Sequence, residues 1–339
     1  MVERRQPAVA VVIPTLAGSD ALVECLEGLE RQIWTDFETI VVDNSGAAKA
    51  EGLMPSSARV RVIANDRNVG FGAAINQGWR TSAAEFLAPI NDDAVPDPAW
   101  LDQLVAAMKG NERVGMCASR VLLSGTGLVD SAGMLIAADA SSKQRGHREA
   151  AAAYDQPAEV LLPSGSAALY RRAMLEQIGG FAEEFFLYCE DTDLGLRGRW
   201  AGWECRYVPG AVVEHRYSHS TGRASALKAY YVERNRLYTA VRNLPLGALF
   251  TVPFASAVRY LWHGWFLLTG RGAAAEFAAG DGAWRLGWFV LKAWTATLVR
   301  LPRLLKERRA IRATARLSPG EFVRLLRRHS ISLRQVAGL

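Results

Sequence analysis

The chain has 339 residues, half of them hydrophobic, with 40 basic against 34 acidic side chains and a net charge of +6. That is enough for one large or two modest domains with a substantial core. The basic excess collects between Arg300 and Arg334 beside Trp-rich apolar sequence, which favours anionic lipid and argues against nucleic acid as a partner. The four cysteines, at 25, 117, 189 and 205, form no Cys-x-x-Cys pair. Neither a zinc site nor a disulfide framework follows, and a reducing environment fits.

Met1 to Gln6 is short and polar, and the apolar run Ala8 to Ile13 is strand-sized and stops at Pro14, so no signal peptide is expected. Val9 to Ile13 reads as a buried strand. Ser19 is placed to cap a helix through Gln32, with Leu22, Cys25, Leu26 and Leu29 on one face. Thr39 to Val42 is the next strand, closed by the turn signal Asp43-Asn44-Ser45-Gly46. Arg61 to Ala64 is a third strand, Gly70 to Ser82 a helix, Phe86 to Ile90 a fourth strand, and Pro98 opens a helix through Met108. This order implies a mostly parallel α/β sheet with helices on both faces. Ligands of such sheets bind beyond the carboxyl ends of the strands, where Pro14-Thr15, Asp43-Asn44 and Asn91-Asp92-Asp93 fall.

The middle of the chain is less regular. Strands are expected at Val114 to Ser119 and Val160 to Leu162, a turn at Ser124 to Gly127, and a mobile loop over Ala138 to Tyr154. Asp191 to Trp200 reads as a helix ended by Gly202, and Cys205 to Val208 as a strand. Beyond about Lys228 the character changes. Trp262, Trp265, Trp284, Trp288 and Trp294 share a region with Arg259, Arg285 and Lys292, which suits helices lying in a membrane interface; a soluble helical bundle is the alternative. Arg300 to Arg316 alternates Leu and Arg in a basic amphipathic pattern. No segment offers the ~20 uninterrupted apolar residues of a spanning helix; Leu244 to Leu268 comes nearest, interrupted by Pro253, Arg259 and His263.

The residues that carry chemistry fall into two acid groups. Asn91-Asp92-Asp93 places hard oxygen donors after a strand, as Mg²⁺ or Mn²⁺ bridging a diphosphate requires, or as a helix-capping cluster would. Glu190, Asp191 and Asp193 directly follow an aromatic cluster, where a carboxylate can be held, aimed and partly dry. Asp191, at a helix start, is the candidate base, its ionised form favoured by the helix dipole. Glu190 can bind an acceptor hydroxyl or orient that base, and Asp193 stands four residues before Arg197 as a helix ion pair. Asp43 can accept from a ribose hydroxyl or a base, or simply close an Asx turn. Asn68 to Gly72 opens a helix whose glycines permit close approach to a phosphate or sugar. His215 ends an apolar strand and is either a metal ligand or an ordinary histidine.

Together these residues resemble glycosyltransferase family 2, the inverting enzymes of GT-A fold. The resemblance runs over roughly residues 8 to 238 and rests on an ordered set: Val-Val-Ile-Pro-Thr at 11 to 15, Val-Val-Asp-Asn-Ser at 41 to 45, Asn-Val-Gly-Phe-Gly at 68 to 72, Ile-Asn-Asp-Asp at 90 to 93, Gly-Gly-Phe at 179 to 181 and Tyr-Cys-Glu-Asp-Thr-Asp-Leu at 188 to 194. It implies that Pro14, Thr15, Asp43 and Asn68, with Gly70, Asn91 and Asp92, hold the nucleotide sugar. Asp93 would take the last place of the Asp-x-Asp metal motif, with Asn91 in its first place where many members carry aspartate. His215 would be a second metal ligand and Asp191 the base, assisted by Glu190. Asn91 and the Glu-Arg-Asn-Arg-Leu run at 233 to 237 are similar to rhamnosyltransferase-like branches that build bacterial surface polysaccharide.

The expectation is a GT-A domain over residues 1–235 and a basic, amphipathic, membrane-associating helical tail over 236–339. The reaction would move a sugar from a dTDP-, UDP- or GDP-sugar to a glycan or polyprenyl-linked acceptor, at the cytoplasmic face of the inner membrane. Two other classes stay open. A sugar-nucleotide nucleotidyltransferase would want a basic residue in the loop after strand one, which Pro14 to Gly18 lacks. A non-catalytic membrane scaffold would not need both acid groups.

Overall fold

The structure is a computed structural model; residues 6–16, 18–55, 59–216, 226–270 and 284–338 are described. The first half alternates β1 (Val9–Thr15), α1 (Asp20–Glu30), β2 (Phe37–Asp43), β3 (Val60–Ala64), α2 (Phe71–Arg80), β4 (Phe86–Pro89), β5 (Ala94–Pro96) and α3 (Trp100–Lys109). β3, β2, β1 and β4 lie side by side and parallel. Strand periodicity sends β1 both ways. Val9, Val11 and Ile13 pack with α1 and α3 on one face, while Ala10 and Val12 pack with Ala74 and Ile75 of α2 on the other.

The second half is mixed. It runs through β6 (Val114–Leu123), β7 (Leu128–Ser131), β8 (Met134–Ile136), β9 (Ser142–Gln144), β10 (Ala158–Glu159), β11 (Ala168–Arg171), α4 (Arg172–Ile178), α5 (Glu190–Trp200) and β12 (Glu204–His215). β11 inserts antiparallel between β4 and β6, and β12 runs parallel to β6. The strand expected at Val160 to Leu162 is displaced: pairing with β12 stops at Glu159, and Val160 adds one backbone bond to Cys205. The segment from Ala138 to Tyr154 is not the loose loop its small polar residues suggest. Asp139 and Ala140 are buried, and β9 pairs with β8. Its small side chains allow burial, and Arg236 and Arg259 bind the Asp139 carboxylate. Ser19 precedes α1 but makes no side-chain cap.

The rest is helical: α6 (Ala226–Asn243), α7 (Leu246–Leu268), α8 (Trp284–Ala313), α9 (Pro319–Arg328) and α10 (Leu333–Gly338). Residue 235, where the sequence reading divides the chain, lies inside α6. The Leu/Arg pattern of α8 faces inward at Leu304, Arg308 and Ile311. Arg308 donates to the Val241 carbonyl, and Arg312 to those of Asn243 and Leu244. Carbonyls at a helix end lack partners within the helix, so these two arginines finish α6. Trp200 stacks on Phe322 of α9 at 3.8 Å between ring centroids, with the Arg312 guanidinium on its ring. Among the described residues no helix is long and apolar enough to cross a membrane.

Candidate active site

β1 has β2 on one side and β4 on the other, so the connections leave in opposite directions and open a crevice at the carboxyl ends of the strands. A cleft of about 390 Å³ occupies it, lined among others by Thr15, Asn68, Asn91, Asp93, Asp191 and His215. Both acid groups and the strand-end histidine meet there. Pro14, Gly70, Asp92 and Glu190 also line it.

On the sheet side, the Thr15 hydroxyl donates to Asp92 Oδ2 at 2.6 Å, tying the end of β1 to the loop after β4. Asn68 accepts from the Gly70 amide at 2.8 Å. Gly70 has φ of +89°, and a Cβ there would lie 2.4 Å from the Phe186 carbonyl oxygen. Glycine is therefore required, but the close approach serves the protein's own chain: the Phe71 amide at the start of α2 donates to that same carbonyl. Asp43 is fully buried outside the cleft lining, its oxygens accepting from the Ser45 and Ala50 amides. That geometry is an Asx turn; Asn44 is the residue of this turn that reaches the cleft.

Asp93 and His215 are brought together by β5, which pairs with the end of β12 and sets His215 opposite Ala94. His215 Nε2 lies 3.2 Å from Asp93 Oδ1 and 3.2 Å from Asn91 Nδ2. Its Nδ1 lies 2.8 Å from Asp130 Oδ2. Burial lowers the imidazole pKa, but its hydrogen bonds to the carboxylates of Asp130 and Asp93 more than offset it and carry it up to about 9. No group of three or more His, Cys, Asp or Glu stands as a metal cluster among the described residues. Two protein ligands nonetheless suit Mg²⁺ or Mn²⁺, which keep waters and bind substrate phosphates. Neighbouring ligands of an octahedral ion at ~2.1 Å stand about 3 Å apart, close to the Asp93 to His215 spacing. Asp130 on Nδ1 supplies the carboxylate that usually orients a ligating imidazole. The donor set fits the ion once His215 Nε2 gives up its proton, which metal binding releases.

The opposite wall is the segment leading into α5. Phe186, Tyr188 and Cys189 all have φ between +64° and +70°, a left-handed region costly for residues with a Cβ. The neighbouring helix holds them there. The Asn235 amide of α6 points at the carbonyls of Phe185, Leu187 and Tyr188, within 2.9 Å, and Arg234 donates to those of Glu184 and Phe185. This turn aims the first residues of α5. Asp191 is partly exposed to the cleft, with Oδ2 accepting from the Gly165 amide at 2.9 Å and Oδ1 from the Thr192 amide. Burial raises its pKa above the ordinary value despite those bonds, so desolvation outweighs the hydrogen bonds that favour the ionised form. Glu190 is buried, and desolvation followed by the charge of Asp191 pushes its carboxyl up to about 8. Asp193 is equally buried, yet Arg242 and Arg197 outweigh burial and hold it below the usual range. Its Oδ2 accepts from Arg197 Nε at 2.8 Å, the expected helix pair, and Arg242 and Asn243 join on Oδ1.

Sequence reasoning missed several of these parts. Asp130 gave a signal, an acid directly after the apolar pair Leu128-Val129, whereas Lys143 and Lys228 of the cleft wall gave none. The run at 233 to 237 stood out by resemblance alone, and its structural work was invisible. An acid-bearing edge on a Rossmann-like sheet, faced by a separately held carboxylate, is the arrangement of GT-A glycosyltransferases. The chain belongs to that class as a member of glycosyltransferase family 2: the family named Glycosyl transferase family 2 matches residues 10–179.

Among its relatives, the N-acetylglucosaminyl-diphospho-decaprenol L-rhamnosyltransferase of Mycobacterium tuberculosis is 53% identical over 70 residues, 20% of this chain and 23% of that protein. The pre-mycofactocin glycosyltransferase of the same organism is 29% identical over 230 residues, 66% of this chain and 46% of that protein. The matches thus span less than half the length of either curated relative. A structure of GalNAc-T7 with UDP, GalNAc and Mn²⁺ superposes with a TM-score of 0.56 at 13% identity, covering 71% of this chain and 48% of that one.

Proposed function

We propose that this enzyme transfers a sugar with inversion from a nucleoside diphosphate donor (dTDP-, UDP- or GDP-linked) to a hydroxyl of a glycan or polyprenyl-linked acceptor. The observation that carries the reading is the meeting of Asp191 with Asp93 and His215 in one cleft. Pro14, Thr15, Asn68 and the Asn44 turn built on Asp43 hold the nucleotide, and Asp93 and His215 hold Mg²⁺ or Mn²⁺. When bound, that ion neutralises charge on the diphosphate leaving group. Asp191 orients the acceptor hydroxyl and takes its proton as the oxygen bonds to the anomeric carbon. The bond from that carbon to the diphosphate oxygen breaks, and its electron pair leaves with the diphosphate. Partial desolvation raises the basicity of Asp191, and the Gly165 and Thr192 amides fix its direction. Glu190 stands behind it as the acceptor-side helper.

Rhamnose is the favoured sugar, supported by the rhamnosyltransferase relative, and synthesis of bacterial surface polysaccharide is the favoured role. Exposed Phe250, Phe254, Leu261 and Trp265 on α7, with Trp284 and Trp288 on α8, support peripheral attachment to anionic lipid at the cytoplasmic face of the inner membrane. The reading is tested with Asp191→Asn. Donor binding should persist while transfer falls by ~10²–10⁴-fold, the usual worth of a general base; a near-native rate in a folded variant would sink the assignment.

A further inference from the structure

One short segment stands behind both halves of the cleft. Ser142 to Glu149 runs back along Val129 to Ile136. β9 pairs with β8, the Ala132 amide donates to the Arg145 carbonyl, and Val129 exchanges backbone bonds with Arg148 and Glu149. The chain just before it is fastened by Asp139, which Arg236 and Arg259 bind. This pairing sets Ser142 against α5 and, a few residues on, His147 against Asp130.

At one end the Ser142 and Thr192 hydroxyls lie 2.8 Å apart. The Thr192 hydroxyl donates to Asp191 Oδ1 at 3.2 Å, and the Thr192 amide donates to the same oxygen. A hydroxyl has one hydrogen to give, so Ser142 is the donor to Thr192. Ser142 thereby fixes which way the Thr192 hydroxyl points, and Asp191 is what it points at. At the other end His147 Nδ1 lies 3.1 Å from the Asp130 carbonyl oxygen and 3.2 Å from Asp130 Oδ1. A carbonyl only accepts, so Nδ1 carries the hydrogen. The other carboxylate oxygen, Oδ2, meets His215 Nδ1 at 2.8 Å. Asp130 is buried, and a carboxylate held at one oxygen keeps the other aimed. His147 thus sets the carboxylate that turns His215 Nε2 toward Asp93.

We infer that Ser142 and His147 are positioning residues, Ser142 for the base through Thr192 and His147 for the candidate metal ligand through Asp130, so that one segment sets both ends of the reaction. The inference rests on the transfer reading above and adds two residues that act through others. The full chain is tested in two ways. Mn²⁺ binding is read by electron paramagnetic resonance with UDP present, and turnover by hydrolysis of dTDP-rhamnose, in which water takes the acceptor's place. His147→Leu and the smaller His147→Ala should each weaken Mn²⁺ binding roughly tenfold, the scale of losing a partner behind a metal ligand. His147→Asn, whose amide sets an N–H where Nδ1 stood, should recover most of it. Ser142→Ala should lower kcat roughly fivefold, the scale of one hydrogen bond, with KM and Mn²⁺ affinity unchanged, and Ser142→Thr should recover the rate. A merely structural segment would instead lower Mn²⁺ affinity and kcat together in every variant, rescues included, and that result overturns the proposal. Native Mn²⁺ affinity in the His147 variants, or native kcat in Ser142→Ala, overturns it too. Near-native hydrolysis by Asp191→Asn, or no Mn²⁺ binding by the wild type, would instead break the transfer reading itself.

Discussion

Two pairs of carboxylates, Glu190 with Asp191 and Asp139 with Glu233, are both largely removed from water and meet opposite fates. Asp139 and Glu233 are enclosed by Arg236 and Arg259, and Tyr260 adds a hydrogen bond to Glu233. Burial raises both, yet the arginines prevail and hold both below the ordinary carboxylate range. Among the described residues no arginine pairs with Glu190 or Asp191, and burial raises both. Burial alone therefore does not define a site. A carboxylate ready to take a proton is one whose desolvation is left unbalanced by a cation. The balanced pair serves architecture instead, fastening α6 and α7 to the loop between β8 and β9.

The contrast can be broken most severely at Glu233. Glu233→Gln leaves Arg236 and Arg259 buried with half their counter-charge, and removing one partner of a buried ion pair costs about 3–5 kcal/mol. Chemical denaturation should show a loss of that size; a loss under ~1 kcal/mol, the level of a surface pair, would mean that the network does not fasten these helices.

Glu190→Gln should act in the opposite direction. The folded pKa of Glu190, about 8, lies above its ordinary 4.5. Between those values the folded state binds more protons than the unfolded state, so rising pH removes stability. The variant lacks this cost. It should match the wild type near pH 4 and gain over it progressively toward pH 8, by at most about 1.4 kcal/mol for each pH unit between those two values. A difference that does not vary with pH would show that Glu190 carries no raised pKa.

The smallest effect on stability is expected on the outer face of α7, which the balanced pair holds in place. Phe254 is 77% exposed, and Phe254→Asp should change stability by no more than ~0.5 kcal/mol. Flotation with anionic liposomes should nevertheless fall clearly. Undiminished flotation would remove the membrane role from this face, and reduced flotation in Glu233→Gln as well would tie membrane contact to the buried network.

Much of the sheet was legible because the apolar period of β1 to β4 and the helices between them is local. The strand ends then placed Thr15 and Asn91 to Asp93 at one edge without further information. The pair Asp193 and Arg197 was legible for the same reason, since four residues make one helical turn. The region from Ala138 to Tyr154 was misread because composition reports polarity, not partners: Asp139 is buried only because arginines from α6 and α7 reach it. Asp43 presented the two readings of any acid in a turn sequence, and its hydrogen bonds to Ser45 and Ala50 show the turn.

The amino-acid sequence by itself determined the order of strands and helices, the carboxyl-edge location of the first acid group and the aromatic setting of the second. It did so because hydrophobic period, turn chemistry and helix spacing act over a few residues. Tertiary structure decided that Arg242 and Asn243 join Arg197 on Asp193, that Asp130 stands behind His215, that Asn235 holds the left-handed turn before Asp191, and that Lys143 shares the cleft. Each of these depends on groups far apart in the chain, and their charge states follow from desolvation and from partners that exist only once the chain has closed on itself.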